Sequence, residues 1–143
     1  MGRPSKRTPE LIAEIVERLS KGEPLAKICR DEHMPDRKSI WNWEQEDPEL
    51  SPRIAHAREA GFDVIALNAL EIADDGSRDY AIGEDGFVLN HDHIQRSRLR
   101  VDTRLKLLAK WDPKRYGDKV QHANAEGGML PAPEWHLHPV TSK

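Results

Sequence analysis

The sequence predicts a mainly α protein with an N-terminal helix-turn-helix domain over 1–50. A central hairpin of long helices over 51–120 then serves oligomerisation, carries a small β-hairpin at about 79–90, and leads into a flexible C-terminal tail over 121–143. Three observations predict this. Three short amphipathic stretches joined by tight turns fill the N-terminal third, the helix-turn-helix pattern. Two longer helical stretches follow, the first of them apolar around most of its circumference. A short strand-like run broken by Asp85-Gly86 separates those two.

Each element has local reasons. Thr8-Pro9-Glu10 supplies a hydroxyl cap, a proline at the first helical position and an acid in the first turn. Leu11, Ile12, Ile15, Val16 and Leu19 then recur at helical spacing, and Gly22 marks the stop. A second helix is predicted over about 25–32 with Leu25, Ile28 and Cys29 inward, broken by His33-Met34-Pro35. Asp36 caps a third over about 37–46 that carries Ile40, Trp41 and Trp43, and Asp47-Pro48 ends it. The two tryptophans stand two residues apart and so face different ways. One belongs in the core with Ile40, the other near the surface.

Ser51-Pro52 reads as the start of a long helix running to about residue 73 and closed by Asp74-Asp75-Gly76. From residue 60 to 73 only Asp63, Asn68 and Glu71 are polar. A helix apolar nearly all round must be covered on several sides, and neighbouring subunits are the economical cover for so small a chain. Residues 80–89 place two apolar runs around Asp85-Gly86, a hairpin signal. Asn90 or Asp92 caps the next helix, which runs to about Trp111 with an apolar stripe of Ile94, Val101, Leu105, Leu108 and Trp111. Arg96, Arg100 and Arg104 stand on the opposite side, and Asp112-Pro113 stops the helix. Beyond Tyr116-Gly117 the pattern fades, leaving at most a short strand near 119–122.

Composition bounds the function. The chain has 143 residues, 37% hydrophobic and 33% charged, with a formal net charge of −3. No apolar run approaches the roughly 18 residues of a membrane span, and no signal-peptide core follows Met1. The single cysteine, Cys29, excludes an internal disulfide, fits a reducing compartment and sits on an apolar helix face as core. Net charge conceals segregation: +2 over 1–43, −3 over 44–60, −7 over 61–92, +6 over 93–120 and −1 over 121–143. Such asymmetry points to separate surfaces with separate partners. The arginine row of the last helix either faces nucleic acid or pairs with the acidic segment of its own or a neighbouring chain.

In a helix-turn-helix the third helix enters the major groove with its first turns. Arg37, Lys38, Ser39 and Asn42 occupy that region; Arg and Asn suit base edges, Lys and Ser suit phosphates. Residues 2–7, with Arg3, Lys6 and Arg7, form a basic arm for a phosphate backbone or a minor groove. His91-x-His93 and His136-x-His138 have close spacing, but no cysteine pair or carboxylate arrangement completes a zinc site. No GxxxxGK[ST], GxSxG or HExxH motif occurs, and no catalytic constellation emerges, so no metal, no cofactor and no enzymatic activity is expected.

Several segments in order resemble one family. Gly2-Arg3-Pro4-Ser5 with Thr8-Pro9-Glu10, Ile28-Cys29-Arg30-Asp31-Glu32 with Met34-Pro35-Asp36, and Ser39-Ile40-Trp41-Asn42-Trp43 are followed by Glu71-Ile72-Ala73-Asp74-Asp75. Arg98-Leu99-Arg100-Val101-Asp102-Thr103-Arg104 and Pro113-Lys114-Arg115-Tyr116-Gly117-Asp118-Lys119 complete the set. Together, from residue 2 to about 120, they resemble the small terminase subunits of tailed bacteriophages, of the Sf6-like kind. The resemblance implies a DNA-packaging protein without chemistry of its own, active in the cytoplasm of the infected bacterial host. It implies a homo-oligomeric ring of about eight to ten subunits that recognises the packaging site on concatemeric double-stranded viral DNA and regulates the ATPase and nuclease of the terminase large subunit. It adds Lys27 and Arg30 to the DNA-binding region. It also assigns 52–73 and 93–111 to oligomerisation, with Phe62, Ile65, Ala69, Ile72, Val101, Leu105 and Leu108 as the contact residues. The tail, through Pro131-Ala132-Pro133-Glu134-Trp135, is a candidate docking segment for the large subunit. A dimeric helix-turn-helix transcriptional regulator is the alternative; it requires a two-fold assembly and a palindromic site.

Overall fold

The structure is a computed structural model that describes residues 6–118 and 127–128. Arg3 and nearly all of the tail, including residues 131–135, lie outside the described residues.

Helix α1 (Pro9–Ser20) begins as its sequence dictates, with Thr8 Oγ1 accepting from the Leu11 N–H at 3.2 Å. It ends in a Schellman turn: the Gly22 N–H bonds the Leu19 carbonyl and the Glu23 N–H bonds the Arg18 carbonyl. Gly22 holds φ at +90°, a left-handed conformation that glycine adopts without penalty. Helix α2 (Leu25–Ile28) is shorter than its apolar pattern suggests. After Ile28 the chain turns through tight i→i+3 bonds, Arg30 to Lys27 and Asp31 to Ile28, which bring Met34 and Pro35 into the interior. Helix α3 (Arg37–Glu46) is capped by Asp36, whose carboxylate accepts from the Ser39 N–H at 2.7 Å. Trp43 takes the core position beside Ile40, and Trp41 points out.

Helix α4 (Leu50–Asp74) starts before Ser51, which does not cap it. The carboxylate of Asp47 instead turns the chain by accepting from the Glu49 N–H at 3.0 Å, and Leu50 goes into the core. Leu50, Ile54 and Ala57 pack with Ile12, Ile15, Leu19, Ile28, Met34, Ile40 and Trp43. The first half of α4 thus closes the N-terminal core. Each fully buried aliphatic side chain there contributes about 1.5–3 kcal/mol. The second half of α4 pairs with helix α5 (His91–Trp111), capped by Asn90, which accepts from the His93 N–H at 3.2 Å. A short helix α6 (Pro113–Tyr116), which the sequence pattern did not announce, is capped by Asp112 and folds back on α4.

Between α4 and α5, strands β1 (Tyr80–Gly83) and β2 (Gly86–Leu89) pair antiparallel, with Gly83 opposite Gly86. The loop is therefore Glu84-Asp85, one residue before the expected position. Neither loop residue takes the positive φ that a primed turn needs; Gly86 takes it, at +114°. The apolar stripe of α5 also differs from expectation. Leu108 is buried and Val101 half-buried against α4, whereas Leu105 is exposed. Arg104 is half-buried on the α4 side, donating from Nε to the Asn68 side chain at 2.9 Å, rather than lying on an outer arginine face.

Backbone comes close to backbone where α1 meets α4. A Cβ on Gly61 would stand 2.1 Å from the Leu19 carbonyl oxygen, a position backbone cannot vacate cheaply. Gly61→Ala is expected to lower stability by about 1–3 kcal/mol, read as a fall in the thermal unfolding midpoint. An unchanged midpoint would show that α1 and α4 are not locked at this point.

Candidate nucleic-acid interface and assembly surface

The outer side of α3 carries Arg37, Lys38, Trp41 and Gln45, all exposed. Positions 37, 41 and 45 recur every four residues and share one helical face, with Lys38 beside Arg37. Ser39 and Asn42 are half-buried at its margins. Lys27 on α2 and Arg30 in the following turn are exposed too. Arg37 and Arg58 of α4 meet across a cleft that also includes Pro24, Leu25, Phe62 and Trp111. Trp41 was not among the residues expected here; its signal was its partner Trp43, since only one of the two can fill the core.

The basic arm is anchored where it enters the fold. Arg7 donates to the Asp47 carboxylate at the far end of α3, holding that carboxyl below its ordinary value. Lys6, next to it, is exposed. The placement of α3 depends on a second ion cluster, centred on Arg18. Its guanidinium donates to both Glu23 oxygens, at 2.7 and 2.6 Å, and to Asp31 at 2.5 Å. These hydrogen bonds hold the Glu23 and Asp31 carboxyls low and the guanidinium pKa high. One side chain of α1 thereby ties the turns before and after α2, which together set the entry of α3.

The α4–α5 pair divides the residues expected at an oligomer contact. Ala69 and Leu108 are buried between the two helices of the same chain, and Phe62 stacks on Trp111 with ring centroids 5.9 Å apart. Ile65, Ile72 and Val101 are half-buried, and Leu105 is exposed. Other exposed apolar side chains of the pair were not singled out from sequence: Val64, Leu67 and Leu70 on α4, Leu99 and Leu107 on α5. At the α6 end, Asp63 accepts from Arg115 at 2.9 Å and from the Tyr116 hydroxyl at 2.5 Å. Both contacts depress the Asp63 carboxyl, that of Tyr116 the more, and the carboxylate in turn raises the Tyr116 pKa. Among the described residues no three His, Cys, Asp or Glu side chains converge on a metal position, and no helix is long and apolar enough to cross a membrane.

A family model described as bacteriophage Sf6, terminase small subunit-like, matches residues 7–123. The chain belongs to that family. Crystal structures of point variants of gp1, the terminase small subunit of the bacterial virus Sf6, superpose with a TM-score of 0.59. One is 32% identical and covers 92% of this chain; two others are 30% identical and cover 97%, and each comparison covers 100% of the gp1 chain. Comparison with curated protein sequences finds no match. The fold described above, helical with a two-stranded hairpin, is that of a phage terminase small subunit.

The Arg18 cluster generates a pH prediction for this small subunit. Carboxyls held below their ordinary values stabilise the fold fully above those values, 4.5 for Glu23 and 3.8 for Asp31, and the gain is lost as pH falls through the lower folded-state values. Arg18→Met is expected to lower the unfolding midpoint at neutral pH and to flatten its decline in acid. Circular-dichroism melts across the acid range test this. Equal acid slopes in variant and wild type would refute it.

Proposed function

We propose that this terminase small subunit is a ring-forming DNA-recognition protein of a viral packaging machine. It binds the packaging site on concatemeric phage DNA through α3 and the basic arm, and it regulates the ATPase and nuclease of the terminase large subunit in the host cytoplasm. It performs no chemistry itself. Arg37, Lys38, Ser39 and Asn42 meet base edges and the nearest phosphates. Lys27, Arg30, Lys6, Arg7 and Arg3 supply backbone charge.

One observation carries the ring reading. Val64, Leu67 and Leu70 on α4 and Leu99, Leu105 and Leu107 on α5 are exposed in the single chain, apolar side chains that a neighbouring subunit would cover. Closed rings bury such surfaces through head-to-tail contacts that repeat round an axis. Phe62, Ile65, Ala69, Ile72, Val101 and Leu108 act in this reading mainly by holding the α4–α5 pair in shape, with Leu105 at the contact.

Two measurements test the proposal. Light scattering on the purified chain is expected to give a mass several times that of one subunit, about eight- to tenfold for the expected ring. A two-fold mass would favour the dimeric regulator. Arg37→Ala combined with Lys38→Ala is expected to weaken binding to phage DNA at least tenfold and to reduce the salt slope of log K by about 2. If affinity and slope both stay at wild-type values, α3 is not the contact surface.

A further inference from the structure

The β1–β2 hairpin has an apolar face that its own chain leaves uncovered. Tyr80 pairs with Leu89 and Ile82 with Phe87, so alternation puts these four on one side of the two strands. Their relative exposures are 63%, 40%, 86% and 81%. The other side is small, with Val88 leaning over Gly83: its Cγ2 lies 2.6 Å from where a Gly83 Cβ would be. Two isolated strands are marginal in water without a surface to pack on. The base, by contrast, is held. Asp75 accepts from the Ser77 N–H and hydroxyl, and the Asn90 N–H bonds the Asp79 carbonyl at 2.7 Å. A fixed base with an exposed apolar blade describes an arm.

Charge identifies what the arm meets. Its tip is Glu84-Asp85, and the segment 61–92 has a net charge of −7 against +6 for 93–120. Among the described residues a single Lys or Arg ion pair, Arg115–Asp63, joins the two segments within one chain. Arg96 and Arg100 form no ion pair with any described residue, and both are exposed. Leu99 is three residues from Arg96 and one from Arg100, on the side of α5 away from buried Leu108, with Leu107 two turns further along. An apolar strip edged by unpaired arginines is the complement of an apolar blade with an acidic tip. The lengths agree: a four-residue strand spans about 13 Å, and the helix rises about 12 Å from His91 to Leu99.

We propose that the β-hairpin docks on a second copy of this chain. Its Tyr80–Ile82–Phe87–Leu89 face covers Leu99 of the neighbour, and Glu84 and Asp85 lie beside the neighbour's Arg96 and Arg100. The two patches differ, so the contact is head-to-tail, and both lie at the same end of the α4–α5 pair, as rotation about a ring axis requires. This rests on the oligomeric reading above and names one contact within it.

The test measures mass against concentration by light scattering on full-length chains, with helix content followed by circular dichroism. Ile82→Ser with Phe87→Ser is expected to raise the concentration of half-dissociation about tenfold or more at unchanged helix content. Glu84→Lys with Asp85→Lys, and separately Arg96→Glu with Arg100→Glu, are expected to weaken assembly, and the four changes together to restore it. Should the serine variant lose helix content, the charge exchange decides alone. A wild type that is monomeric at every concentration overturns the oligomeric reading and the arm with it. A wild-type oligomer whose dissociation is unaltered by the serine changes, or charge reversals that fail to rescue each other, overturns the arm and leaves the oligomer standing.

Discussion

Backbone meets backbone where α1 ends against α4, at Gly22 and Gly61. No side chain fits between them, and the rest of the molecule is arranged around that contact. It lets a single helix serve two cores. Leu50, Ile54 and Ala57 seal the three N-terminal helices, while Ala69, further along the same helix, is buried where α4 pairs with α5. Because α4 runs unbroken through both, the direction of α3 is tied to the direction of the α4–α5 pair. The exposed arginine and lysine of α3 are held at a set angle to the apolar surface of the helical pair rather than tethered by a linker. If those surfaces are a DNA contact and a subunit contact, rigidity between them fixes how DNA lies against the assembly.

Much of the fold was legible because its signals are local. Thr8, Asp36 and Asn90 cap their helices through their own side chains, with partners three residues away, and no tertiary contact competes. The Ser51 cap failed because a non-local demand won. Burying Leu50 started the helix earlier, and the turn at Asp47 was already available to satisfy it. Arg104 was misplaced for a geometric reason. Residues four apart on an α-helix advance by about 40°, so a row taken at 96, 100 and 104 drifts about 80° and brings its last member round to Asn68. Leu105 lies about 60° off the line of Leu108 for the same reason, outside the seam it was expected to join. Helix α6 is one turn long; Asp112 caps it locally, and Asp63 ties it to α4 by reaching Arg115 and Tyr116 more than fifty residues later in the chain. No window of sequence contains that relation.

The candidate surfaces were partly legible. Residue types pointed to α3 as the candidate DNA side, through Arg37, Lys38 and Asn42. Which residues of the long helices are open did not follow, because apolar character is common to buried and exposed positions. Leu108 and Leu107 are adjacent in sequence, one fully buried and the other in solvent. Only the direction of the partner helix separates them.

The same distinction governs the charges. A net charge of −3 describes neither end of this molecule. Within the described chain, basic side chains that find carboxylates do so for structural ends: Arg18 sets the turns around α2, Arg7 anchors the arm, Arg115 closes α6 on α4. Arg37, Lys38, Arg96 and Arg100 find none. Arg37 shares a helical face with Trp41, and Arg96 stands three residues from Leu99, so these charges adjoin exposed apolar side chains. Charge adjoining uncovered apolar surface is what the two proposed contacts, at α3 and at α5, have in common.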